Sequence, residues 1–97
     1  MSNLLNFRVM LSNQAVINAF VNGQNASNRN MHTDGVKLWS YYTVIAQRTE
    51  DGFIMNNTRY SVSTSKQQTY TRATLRTYKA VENVPIGTYN LWKYLKK

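Results

Sequence analysis

The sequence predicts an α+β fold, a small single domain in which an antiparallel β-hairpin or small sheet is packed by two helices. Three observations carry this. Residues 12–23, SNQAVINAFVNG, repeat apolar side chains at helical spacing between a capping serine and a glycine. Residues 36–63 are rich in β-branched and aromatic side chains on both sides of Glu50-Asp51-Gly52. Beyond them the spacing turns helical again. The 97 residues carry neither repeat nor linker, so 1–97 reads as one compact domain.

Taken in order, Phe7, Val9 and Leu11 alternate over a run too short to separate a strand from a helical turn. In the first helix Ser12 is the cap, Val16, Ile17, Phe20 and Val21 share a face, and Gly23 closes the end in a left-handed conformation. Residues 24–35, QNASNRNMHTDG, are polar and aperiodic, and read as a long mobile loop ending in an Asp34-Gly35 turn.

The hairpin follows, one strand running from Val36 to Thr49 and the other from Phe53 to Ser63. Its loop is either Glu50-Asp51-Gly52 with Gly52 left-handed, or a two-residue Asp51-Gly52 turn that shifts the pairing by one. Even positions of the first strand give Val36, Leu38, Tyr42 and Val44, and odd ones Trp39, Tyr41 and Ile45. Neither face is plainly polar, so either both are covered or one displays aromatics.

Thr64 or Ser65 caps a second helix running to about Val81, with Tyr70, Thr74, Tyr78 and Val81 on one side and Arg72, Arg76 and Lys79 on the other. Val84-Pro85 and Gly87 then break the chain. The closing TYNLWKYLKK supplies a terminal strand or helix, with Tyr89, Leu91, Trp92 and Leu95 as anchors and Lys93, Lys96 and Lys97 outward.

With 42% hydrophobic and 16% charged residues the chain has material for one core and is no disordered polyelectrolyte. Twelve Lys and Arg against Asp34, Glu50, Asp51 and Glu82 leave a formal charge of +8. A field of that sign draws nucleic acid, an anionic membrane or an acidic protein surface, although solubility alone also accounts for it. The absence of cysteine removes disulfides, thiolate metal sites and thiol nucleophiles, and fits a reducing cytoplasm. Neither an export signal nor a membrane-spanning run is legible, so the expected location is cytoplasmic, with no membrane partner.

Catalysis finds little support in one histidine and four scattered carboxylates. His32 reads as a solvated loop side chain. Ser63-Thr-Ser-Lys66 has the S-x-x-K spacing of serine–lysine hydrolases but lacks their companion elements, and its serines serve better as helix caps. No phosphate loop or dinucleotide fingerprint is present. The expectation is a non-enzymatic protein without catalytic residues, metal or cofactor.

Basic residues interleaved with aromatics suit polyanion binding, since Lys and Arg neutralise phosphates while an exposed ring stacks on a base. Residues 53–81 hold Arg59, Lys66, Arg72, Arg76 and Lys79 and no acid. These five are the candidate contacts for nucleic acid or a protein partner, the last three as a helical ridge. Trp39 and Tyr41, on one predicted strand face, are the candidate stacking platform, against the alternative that they simply pack. Tyrosine, tryptophan and arginine also dominate protein interfaces, which keeps a protein partner open.

The strand Leu38-Trp-Ser-Tyr-Tyr-Thr-Val-Ile-Ala46 paired with the junction Tyr60-Ser-Val-Ser-Thr-Ser-Lys66 resembles a family of small bacteriophage proteins to which no activity is assigned. The likeness covers residues 33–75. Where that family often places a histidine shortly after the lysine, this chain has Gln67 and Gln68. The resemblance implies a phage product acting in the cytoplasm of a host bacterium. Small phage proteins of this size are often nucleic-acid-binding factors or inhibitors of host enzymes and immune systems, anti-CRISPR proteins among them. The expected function is therefore nucleic-acid binding through the Lys/Arg ridge. The alternative is an inhibitor that binds a host protein, such as an anti-defence protein acting on a nucleic-acid-binding enzyme.

Overall fold

The computed structural model describes residues 11–95. The alternation predicted from Phe7 lies outside them except for Leu11, as do Lys96 and Lys97. In chain order the elements are α1 (Asn13–Val21), β1 (Asn25–Ser27), β2 (Met31–Asp34), β3 (Lys37–Ser40), β4 (Thr43–Thr49), β5 (Gly52–Asn56), α2 (Val62–Leu75), β6 (Lys79–Val81) and a 3₁₀ helix, Trp92–Tyr94. The six strands form one sheet in sequence order, an antiparallel meander from β1 to β5 with β6 parallel to β5 after the α2 crossover. This is an α+β fold, with a sheet larger than a hairpin.

The first helix forms where the spacing places it. Ser12 Oγ accepts the Ala15 N–H at 3.0 Å, and Val16, Ile17 and Phe20 are fully buried. Gly23, at φ 74°, takes the left-handed position just past the end, its N–H donating to the Phe20 carbonyl.

The polar stretch after it is not a long loop but forms the strands β1 and β2. The Asn28 side chain folds it, its Oδ1 accepting the backbone N–H groups of Asn30 and Met31 at 2.8 Å and its Nδ2 donating to Asn13 Oδ1 and the Leu11 carbonyl. A single amide thus closes the β1–β2 turn and ties it to the start of α1. Met31 and Thr33 are buried on the helix side of β2. His32, on the opposite side, is exposed, as expected, but it stacks on Trp39 with centroids 4.5 Å apart and planes at 10° and belongs to a strand and not to a loop.

The predicted first hairpin strand is two strands. Tyr41 and Tyr42 turn the chain between β3 and β4, with Ser40 paired to Thr43 and Tyr41 at φ 56°. A bulge opposite Leu38 and Trp39 then inserts Ile45 into the helix-side core beside Ala46. At the β4–β5 turn Thr49 pairs with Gly52, leaving Glu50 and Asp51 as the loop, a register that neither predicted loop describes. The following strand stops at Asn56 rather than Ser63, because Asn56 turns inward. Its Nδ2 donates to the Val44 carbonyl and to Tyr60 Oη.

The second helix starts and stops earlier than predicted. Ser61, not Thr64 or Ser65, is the cap, its Oγ accepting the Thr64 N–H at 3.1 Å. The helix ends at Leu75, where Arg76 adopts φ 71° and ψ −46° and the Thr77 N–H donates back to the Leu75 carbonyl. That is a γ-turn, and it frees Lys79 to Val81 to pair with β5. The inward face is Thr64, Gln67, Gln68, Thr71 and Leu75, while Tyr70 is exposed. Polar groups are tolerated there because each finds a partner: Gln68 Nε2 donates to the Asn56 and Thr58 carbonyls at 2.7 and 3.0 Å, Ser40 Oγ donates to Gln67 Oε1, and Thr71 Oγ1 donates to the Gln67 carbonyl. Among the described residues no buried side-chain polar atom lacks a partner.

Both sheet faces are covered. Val16, Ile17, Phe20 and Leu75 of the helices meet Met31, Leu38, Ile45, Ala46 and Met55 on one side. On the other, Val84 and Leu91 of the C-terminal arm close over Val44, Ile54 and Val81. Gln47 fastens the arm, accepting the Leu91 N–H at 2.7 Å and donating to Asn90 Oδ1 at 3.1 Å. The arm ends in a 3₁₀ turn, with Leu91 as its buried anchor and Tyr89 and Trp92 exposed.

Candidate functional site

The predicted ridge of Arg72, Arg76 and Lys79 does not exist as a helical face, because the γ-turn at Arg76 ends the helix between its members. Lys79 lies on edge strand β6, beside a recess of about 670 Å³ whose wall also carries Glu50 and Asp51. The mixed charge of that recess gives no preference for a polyanion. Arg76 is exposed at the helix end.

The structure brings Arg59, Lys66 and Arg72 together instead. Two shallow grooves flank the first half of α2. One, of about 370 Å³, has Arg59 and Lys66 on its walls, and the other, of about 420 Å³, has Arg59 and Arg72. Arg59, Ser65 and Thr69 line both, so the two grooves adjoin at a shared wall and together make a basic trough in two parts. Among the described residues no carboxylate lines either groove.

Local structure fixes this arrangement. Arg59 sits in the connection between β5 and the Ser61 cap, which places it beside the first helical turn. Lys66 projects outward from the second turn. Arg72 is half-buried, with Nη1 donating to Asn57 Oδ1 at 2.9 Å and Nη2 to Thr69 Oγ1 at 3.3 Å, so its guanidinium is already oriented along the groove. The first turn of α2 has no acidic residue, and the helix dipole adds partial positive charge at that end.

The predicted platform of Trp39 and Tyr41 is also divided. Trp39 is half-buried against the arm-side core and its ring is occupied by His32, so it packs. Tyr41 sits in the β3–β4 turn, 46% exposed, beside Tyr42 at 84%. Both line a mostly apolar recess of about 270 Å³ together with Tyr60, Ser61 and Ile86. Tyr60 and Ser61 also line the groove of Arg59 and Lys66, so the tyrosine recess and the basic trough share a wall. Sequence reading missed Tyr42 and Ile86. Exposed aromatics in a turn leave no periodic signal, and Ile86 comes from the far C-terminal arm.

Among the described residues no group of three or more His, Cys, Asp or Glu side chains stands close enough to hold a metal, and no helix is long and apolar enough to cross a membrane. Comparison with known proteins gives no match among family models, curated proteins or solved structures.

Proposed function

We propose that the chain is a non-enzymatic nucleic-acid-binding protein, a phage product acting in the bacterial cytoplasm, which grips a phosphate backbone in the trough of Arg59, Lys66 and Arg72. One observation carries the reading: three cations from two separate segments line two adjoining grooves that share Arg59, with no carboxylate among the described residues on their walls. A phosphate in either groove meets Arg59 and a second cation, Lys66 in one and Arg72 in the other, with the Ser65 hydroxyl on the shared wall as a donor. The phage setting rests on the resemblance of the Leu38–Ala46 strand and the Tyr60–Lys66 junction. Arg76 and Lys79 contribute to the long-range field and not to the grip.

The test is fluorescence anisotropy with labelled single-stranded and duplex oligonucleotides across a salt series. Each phosphate neutralised contributes roughly 0.7 to the log–log slope for single strands and about 0.9 for duplex. The Arg59→Gln, Lys66→Gln, Arg72→Gln variant is expected to lose up to about 2 from the single-strand slope. The Arg76→Gln, Lys79→Gln, Lys93→Gln variant removes the same three charges elsewhere, serves as the charge-matched comparison and is expected to change it less. Equal losses in the two variants would reduce the trough to general charge. No binding by the wild-type protein near physiological salt would turn the reading to a protein partner.

A further inference from the structure

We infer that the recess formed by Tyr41, Tyr42 and Ile86 receives an unpaired base, so that the nucleic acid bound is single-stranded. This rests on the trough reading and adds to it the class of strand. The argument begins with placement. Tyr60 and Ser61 are the common wall between the recess and the Arg59–Lys66 groove, so a strand whose phosphates lie in the groove has a base at the mouth of the recess. The two turn tyrosines stand outward, where a ring facing water gains by covering its face.

The chemistry selects the occupant. A duplex keeps the faces of its internal bases stacked inside and offers only edges and backbone, whereas a single strand can turn a base out onto an aromatic ring. Charge complementarity then favours a strand over an uncharged aromatic or apolar ligand, because the recess opens beside cations and not beside the carboxylates of the sheet's far turn. The rigidity of the site helps as well. Tyr60 Oη accepts from Asn56 Nδ2 at 2.9 Å and donates to the Val84 carbonyl, holding the common wall to both the sheet and the arm that carries Ile86.

The experiment compares wild type with Tyr42→Ala and with Tyr41→Asn, Tyr42→Ala on four labelled probes of one length: oligo(dT), oligo(rU), a mixed-sequence duplex and an abasic strand that keeps phosphates without bases. Asparagine is chosen at Tyr41 because it tolerates the positive φ of that turn. Tyr42 is 84% exposed, so its truncation alone keeps the test sound if the double variant folds poorly. The expected result is wild-type preference for oligo(dT) or oligo(rU) over duplex and abasic strand, the tighter of the two identifying DNA or RNA. Tyr42→Ala should weaken that binding about 5- to 150-fold, with the salt slope and the abasic affinity unchanged. Wild-type binding to the abasic strand or duplex as tight as to the single strand would overturn the base recess and leave the trough standing. So would a Tyr42→Ala variant that binds oligo(dT) and oligo(rU) as wild type does. No binding to any probe would overturn the recess together with the nucleic-acid reading.

Discussion

Replacing Arg48 by methionine should remove a clamp that holds three parts of the chain together. Its Nη2 donates to the Phe20 and Val21 carbonyls at 2.7 and 2.9 Å, capping the end of α1, and its Nε donates to the Gly35 carbonyl at 3.1 Å. The guanidinium carbon also lies 5.1 Å from the Phe53 ring centroid and 6.0 Å from that of Phe20. Methionine keeps much of the apolar stem and loses the donors. Hydrogen bonds to a charged group contribute about 1.5–3 kcal/mol each, but Arg48 is only partly buried and water replaces part of the loss. A cation over an aromatic ring adds about 0.5–1 kcal/mol. The expected loss is about 2–4 kcal/mol, a large share of the roughly 5–15 kcal/mol that holds a domain of this kind. With a urea m-value of about 1.3 kcal/mol per molar, the midpoint falls by about 1.5–3 M.

The assay is equilibrium urea unfolding followed by Trp39 and Trp92 fluorescence and by far-ultraviolet circular dichroism. Arg48→Lys should recover less than half of the loss, since one ammonium group cannot reproduce a fork aimed at two segments. A midpoint for Arg48→Met within about 0.5 M of wild type, with an unchanged m-value, would refute the clamp.

The γ-turn at Arg76 holds a non-glycine residue at positive φ, so Arg76→Gly should raise stability by about 1 kcal/mol, read as a higher urea midpoint; a lower one would mean that the turn is unstrained. Asp34 closes the β2–β3 turn by accepting the Val36 and Lys37 N–H groups, each at 2.9 Å. Partial burial pushes its carboxyl pKa up, but the N–H groups of Lys37, Val36 and Asp34 itself, together with the Lys37 charge, outweigh this and leave it below the ordinary value. A depressed folded-state pKa gives stability that is complete above the unfolded-state value, about 3.9, and lost as pH falls through the folded one. The wild-type advantage in melting temperature over Asp34→Asn should therefore be steady near neutrality and shrink below about pH 4. A constant difference down to pH 2 would count against it.

What the sequence made legible follows from where its signals are local. The first helix carries its cap, its apolar spacing and its closing glycine within twelve residues, and all three work as read. Gly35 stands in the turn read for it, at φ 90°, and has a tertiary reason as well, since a Cβ there would stand 2.6 Å from the Gly23 carbonyl oxygen. The second helix misled because its inward face is Thr64, Gln67, Gln68 and Thr71, whose burial depends on partners in β3 and the β5–α2 connection. The β3–β4 turn was invisible for a related reason: tyrosines are strand residues by propensity, and no Asn-Gly or Asp-Gly marks the reversal. Of the candidate site, Arg59, Lys66 and Arg72 were named but grouped wrongly. A wheel continued past Leu75 joins Arg76 and Lys79 to Arg72, and cannot represent a γ-turn that sends the chain back to the sheet.

The order of strands in the sheet has a consequence for how the chain emerges from the ribosome. From β1 to β5 each strand pairs with the one synthesised just before it, so the meander grows by closing short loops. The parallel strand breaks this pattern, because β6 reaches β5 only after residues 57–78 have been made. Until residues 84–91 follow, Val44 and Ile54 lack the cover that Val84 and Leu91 provide. Vectorial synthesis thus leaves one face of a nearly complete sheet bare until residues 84–91 follow, and covering it removes an apolar surface on which a nascent chain is prone to stick.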